Sequence, residues 1–161
     1  MATKRKQSKR AAKRPARRTA ARAARPHRKE PESLRFRECS ASFTVNDLEQ
    51  SLAWYRDVLG FTIGERWEEN GAVRGVQLKA GAVDLMLNQD DFSKGHDRAK
   101  GVGFRLWCST AQDVDTLAAE IKARGGRLAY EPRDLPWGDR AFGLTDPDGF
   151  QVTVVQAGYR D

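Results

Sequence analysis

The residues of this chain best suited to chemistry stand at alternate positions in short apolar runs. Asp84, Met86 and Asn88 alternate in Val83–Asn88, and Arg105 and Trp107 alternate in Gly103–Cys108. A strand has a side-chain period of two, so each set occupies one face of its strand. Ser42 and Thr44 behave alike in Phe36–Val45, as does Gln151 in Phe150–Gln156. Trp67 closes a further run, and Trp137 and Arg140 come from a nearby loop and strand. These types suit recognition of a planar or heteroaromatic molecule. Tryptophan rings stack, methionine adapts, and Arg105, Asp84 and Asn88 fix orientation. The expected ligand-binding set is Trp67, Asp84, Met86, Asn88, Arg105, Trp107, Trp137 and Arg140. Plainer roles stay open: Trp107 and Trp137 can pack at an interface or under a loop, and Arg105 can pair with Asp84. A buried Asp84 with a raised pKa is a general-base candidate, but a single carboxylate assigns no catalytic residue.

The elements that position these residues recur. After Phe36–Val45, Asn46 is a helix cap with Glu49 three residues on. Leu48, Leu52, Tyr55 and Leu59 share one helical face, and Gly60 ends the helix. Strands follow at Phe61–Trp67, Val73–Lys79 and Val83–Asn88, with turns at Asn70-Gly71 and Ala80-Gly81. A polar connector fills 89–100. The order then repeats: a strand at Gly103–Cys108, a box of Thr110 with Asp113, and a stripe of Val114, Leu117, Ala118 and Ile121 stopped by Gly125-Gly126. Strands at Arg127–Glu131, Arg140–Thr145 and Phe150–Gln156 complete it, the last after the turn Asp146-Pro147-Asp148-Gly149. The fold class is α+β: two tandem βαβββ modules, 36–89 and 101–156, forming a curved mixed sheet with a concave groove.

Charge divides the chain. It has 161 residues and a net charge of +7, yet residues 1–29 hold thirteen Lys or Arg and no acid. The rest holds sixteen bases against twenty-two acids, a net −6. Residues 1–33 contain no Leu, Ile, Val or aromatic residue, so they read as a disordered tail ahead of one domain, 34–161. Lys4, Arg5, Lys6, Lys9, Arg10, Lys13, Arg14, Arg17 and Arg18 would bind nucleic acid non-specifically, by counterion release. A solvated arm and an organellar transit peptide are the other readings of the tail. No apolar run reaches the ~18 residues of a membrane span, and no apolar h-region marks a secretory signal. Cys39 and Cys108 sit in apolar runs, where free cysteines behave as small buried hydrophobes. A cytoplasmic location is the expectation.

Val45-Asn46-Asp47-Leu48-Glu49-Gln50-Ser51, Trp54-Tyr55, Leu59-Gly60-Phe61, Pro136 to Arg140 and the Asp146–Gly149 turn, in this order, resemble the vicinal oxygen chelate superfamily. That group includes glyoxalases, bleomycin-resistance proteins and extradiol dioxygenases. In its metal-dependent members the resemblance implies ligands at Ser40, Asp84, Gly103 (or Val102) and Thr153. Only Asp84 is a metal-ligating type, and the two histidines, His27 and His96, fall on no predicted strand. The resemblance therefore implies a metal-free, cofactor-free homodimer that sequesters an antibiotic-like heteroaromatic molecule. The alternatives are a metal-dependent lyase or dioxygenase, and a nucleoid-associated protein acting through its tail.

Overall fold

The computed structural model describes residues 39–156. The basic tail lies outside the described residues, and with it every nucleic-acid candidate from Lys4 to Arg18. The elements are β1 (Ala41–Val45), α1 (Leu48–Ala53) running into a π-helical segment (Trp54–Leu59), β2 (Thr62–Glu69), β3 (Ala72–Ala80) and β4 (Val83–Gln89). After the connector come β5 (Arg105–Thr110), α2 (Val114–Ala123), β6 (Leu128–Asp134), β7 (Arg140–Thr145) and β8 (Gln151–Gln156). The expected βαβββ order thus appears twice.

Both helices start later than their expected caps, α1 by one residue and α2 by three. Asp47, not Asn46, caps α1, because its carboxylate accepts the Gln50 N–H at 3.0 Å. The Asn46 N–H is itself taken by Asp148 at 2.8 Å. Asp113 caps α2 by accepting the Thr116 N–H at 2.8 Å. Thr110 instead folds back on the Gln112 N–H at 3.0 Å. Gly60 ends the first helix at φ 85°, a left-handed position where a side chain would be strained.

Each module contributes one four-stranded mixed sheet, ordered β1-β4-β3-β2 and β5-β8-β7-β6. In each, the first and last strands run parallel and the other pairs antiparallel. Each sheet buries one face under its helix. Phe43, Val45, Val76, Leu78, Leu85 and Leu87 pack with Leu48, Leu52 and Tyr55. Phe142, Leu144 and Val152 pack with Val114, Ala118 and Ile121. Trp54, Leu59 and Leu106 touch both clusters, so one continuous apolar body joins the modules.

Polar contacts lock the joint. The Asp146–Gly149 turn reaches the first module, where Asp148 accepts from the Asn46 N–H and the Ser51 hydroxyl, and Asp146 accepts from Tyr55 Oη at 3.0 Å. Phe150 stacks on Phe43 with ring centroids 4.0 Å apart. The connector is tied down at Asp90, whose carboxylate receives Arg98 and Lys100 while its N–H bonds Val45 O. Both cysteines are free, but neither is a buried core residue: Cys39 precedes β1 and is exposed, and Cys108 is half-buried.

Candidate ligand-binding site

Opposite its helix the first sheet keeps an open face, while the same face of the second sheet is open at Arg105, Trp107 and Gln151 but buried at Ala141, Gly143, Thr153 and Val155. Strand register decides which side chains share each face. In the first sheet Trp67 pairs with Gly75, Gly75 with Asn88, and Asn88 with Thr44. The next row holds Gln77, Met86 and Ser42. In the second sheet the equivalent row is Tyr130, Gly143, Thr153 and Trp107, beside a row of Thr145, Gln151 and Arg105. The two modules use one device: an aromatic ring on the outer strand lies across a glycine on its neighbour. A Cβ at Gly75 would stand 3.0 Å from Trp67 Cε3, and one at Gly143 only 2.1 Å from Tyr130 Cε1. Glycine there makes room for a flat ring against the sheet.

The exposed rings define what the faces offer. Trp107 is 46% exposed and Trp137 55%, with ring centroids 6.2 Å apart. Trp137 is steadied by its indole N–H, which donates to Asp139 Oδ2 at 3.0 Å, and by a tight turn at Gly138, φ 95°. Trp67 is 40% exposed. Around them the polar floor is largely paired. Arg105 directs Nε and Nη2 to Gln151 Oε1 at 3.1 and 2.6 Å. Asn88 Nδ2 donates to Ser42 Oγ at 2.8 Å, and Gln77 Nε2 to Asp84 Oδ2 at 3.1 Å. Arg133 covers the outer side of Tyr130, its guanidinium carbon 4.4 Å from the ring centre.

The expected set therefore divides. Trp67, Asp84, Met86 and Asn88 share the open face of the first sheet, while Arg105 and Trp107, with Trp137, belong to the second. Arg105 and Asp84 stand on different sheets, and each has its own amide partner. Arg140 is a correction. It has the parity of Phe142 and Leu144, which face α2, and it ion-pairs with Asp115 on α2 and Asp134 on β6. Sequence reading missed Tyr130 and Gln77. The period-two pattern from Leu128 pointed to Tyr130, but its pairing with Gly143 depends on register shifts in β6 that no residue signals.

The four family metal positions do not make a donor set. Gly103 has no side chain and sits ahead of β5 at φ 72°. Thr153 is 1% exposed, between its neighbours Trp107 and Gly143, the latter beneath the Tyr130 ring. Ser40 offers a hydroxyl, and the Asp84 carboxylate is engaged by Gln77. A zinc, nickel or iron site needs three or four nitrogen, thiolate or carboxylate ligands. Among the described residues no three His, Cys, Asp or Glu side chains gather as a metal-binding group. Burial pushes the Cys108 thiol up, away from a reactive thiolate.

The arrangement matches known proteins. The model of the Glyoxalase/Bleomycin resistance protein/Dioxygenase superfamily matches residues 39–154, which span both modules. The chain is 26% identical over 124 residues to the lactoylglutathione lyase GLX1 of Arabidopsis thaliana, covering 72% of this chain and 42% of that protein. It thus spans about two fifths of that relative's length. It is 24% identical over 122 residues to a probable lactoylglutathione lyase of Synechocystis, covering 70% of this chain and 88% of the relative. The crystal structure of a superfamily member from Sphaerobacter thermophilus superposes with a TM-score of 0.61 at 25% identity, covering 76% of this chain and 98% of that one. With the duplicated βαβββ order and a family match across both modules, this chain belongs to the Glyoxalase/Bleomycin resistance protein/Dioxygenase superfamily.

Proposed function

We propose that the domain binds a planar heteroaromatic, antibiotic-like molecule without a metal and sequesters it. One observation carries the reading: Trp107 and Trp137 stand half-exposed, 6.2 Å apart, over a row whose would-be metal position is the buried Thr153. Half-exposed indoles beside a paired polar floor suit stacking better than chemistry, because the floor offers orientation but no donor set. Arg105 with Gln151 would orient polar groups of the ligand at the rim. As a homodimer, the face carrying Trp67, Asp84, Met86 and Asn88 in one copy would cover the tryptophan face of the other. Tryptophan quenching with bleomycin and a panel of heteroaromatic antibiotics tests this. Saturable quenching in protein pretreated with a chelator supports the reading, and its absence across the panel defeats it.

The rival reading is a lyase. It is favoured by relatives named lactoylglutathione lyase at 24% and 26% identity. Stoichiometric nickel or zinc in the purified protein, with turnover of a dicarbonyl–glutathione adduct, would replace sequestration with that reading. A further part of the proposal concerns the tail. Thirteen basic residues in the first twenty-nine would hold a cytoplasmic drug-binding domain near DNA. Removing residues 1–33 should then lower protection of cells against a DNA-damaging drug while leaving purified-protein affinity unchanged. Equal protection with and without the tail defeats this part.

A further inference from the structure

The two modules meet through unequal joints, and the inequality leaves a cavity. In the first joint the five residues Asp146–Phe150 between β7 and β8 fill the space beside β1 and α1. Four residues receive them: Phe43 stacks on Phe150, the Asn46 N–H and Ser51 hydroxyl bond Asp148, and the Tyr55 hydroxyl bonds Asp146.

The repeat supplies a counterpart for each receiver. Phe43 and Cys108 both lie two residues before the end of their strands. Counted from the caps Asp47 and Asp113, Asn46 corresponds to Gln112, Ser51 to Leu117 and Tyr55 to Ile121. All four counterparts line one cavity of about 510 Å³. The turn that faces them is the short one between β3 and β4. Ala80 pairs with Val83, so only Gly81 and Ala82 project, and the largest group they offer is a methyl. Where the first joint inserts a phenyl ring and two carboxylates, the second inserts almost nothing. The remaining volume is that of a small-molecule site, which typically spans ~300–1,000 Å³.

The substitutions also decide the charge of the occupant. The hydroxyls that receive carboxylates in the first joint are replaced by the alkyl groups of Leu117 and Ile121. The Gln112 N–H, counterpart of the donor at Asn46, is already taken by Thr110 Oγ1 at 3.0 Å. Arg124 at the far end of α2 is engaged by Val58 O at 2.9 Å and faces Glu120. None of the donors that hold carboxylates in the first joint is repeated here, and the Arg124 guanidinium at the rim already faces the Glu120 carboxylate, whereas a ring would find alkyl walls.

We propose that this cavity, on the helix side and separate from the tryptophan face, binds a small uncharged aromatic molecule in the place that Phe150 occupies in the first joint. The proposal does not rest on the ligand assigned to the open face.

The test uses the full chain and the neutral probe N-phenyl-1-naphthylamine, with its sulfonate as the charged comparison. Saturable binding near one per chain is expected, with the sulfonate at least about tenfold weaker. Leu117→Trp and Ala82→Trp, which fill the cavity from its wall and from the turn, should each weaken the probe at least about tenfold. Trp107→Ala should leave it unchanged. The Cys108 thiol gives a second readout that needs no variant. With the probe at ten times its Kd, alkylation of Cys108 should slow about tenfold while the exposed Cys39 reacts as before. Three results would overturn the proposal: no saturable binding, loss of binding in Trp107→Ala with retention in both filled variants, or no protection of Cys108. Protection that grows with protein concentration in the absence of probe would also overturn it, because a second copy would then be the occupant.

Discussion

The Tyr55 hydroxyl donates to Asp146 Oδ2 at 3.0 Å, tying the helix of the first module to the last turn of the second. Burial pushes both groups above their ordinary values, and the Asp146 carboxylate raises Tyr55 further. Tyr55→Phe leaves Asp146 only its two backbone donors, Asp148 N–H and Phe150 N–H. The expected loss is about 1–3 kcal/mol, read as a lower urea midpoint at unchanged slope. A carboxyl raised by folding favours the native state most below its unfolded pKa, and that contribution is lost as pH rises through the folded value. The deficit of the variant should therefore be larger at pH 7 than at pH 4.

Gly143 tests the ring-over-glycine device. A methyl there would meet the Tyr130 ring at 2.1 Å, so the ring must leave the sheet. Gly143→Ala should cost about 1–3 kcal/mol. In a Tyr130→Ala background the same substitution should cost far less, because the clash partner is gone. A thermodynamic cycle reads the coupling. Equal costs in both backgrounds would show that Tyr130 is not what glycine accommodates.

Much of this architecture was legible because period and punctuation agreed. Alternation in Asp84 to Asn88 and in Arg105 to Cys108 gave the correct faces, and Asn70-Gly71 gave a turn in which both residues take positive φ, 52° and 76°. What escaped depends on pairing. Parity within β7 puts Arg140 with Phe142 and Leu144, on the face that packs against α2. Thr153 lost its access through a ring delivered from β6, two strands away.

The connector clasp predicts an acid limit. Lys100 and the Phe92 N–H hold the Asp90 carboxyl at about 2, below its ordinary 3.8, with Arg98 adding to them. A carboxyl depressed by folding stabilises fully above its unfolded pKa, and that contribution is lost as pH falls through the folded value. Thermal midpoints of the wild type should drop between pH 4 and pH 2. Asp90→Asn should start lower at pH 7 and fall less steeply across that window.

Arg140 should matter to stability only slightly and to ligand binding not at all. Its partners Asp115 and Asp134 are both more than half exposed, so solvent screens the pairs. Arg140→Met should barely move the midpoint of a denaturant titration. Affinity for any ligand of the tryptophan face should be unchanged, since the guanidinium points at α2.

The most direct measurement is a tryptophan-quenching titration of the full chain with bleomycin and related heteroaromatic antibiotics, before and after chelator treatment, in wild type and Trp107→Ala. Saturable quenching that survives metal removal and weakens at least about tenfold in the variant is the expected result. Binding that disappears with the metal, or that ignores Trp107→Ala, would contradict it.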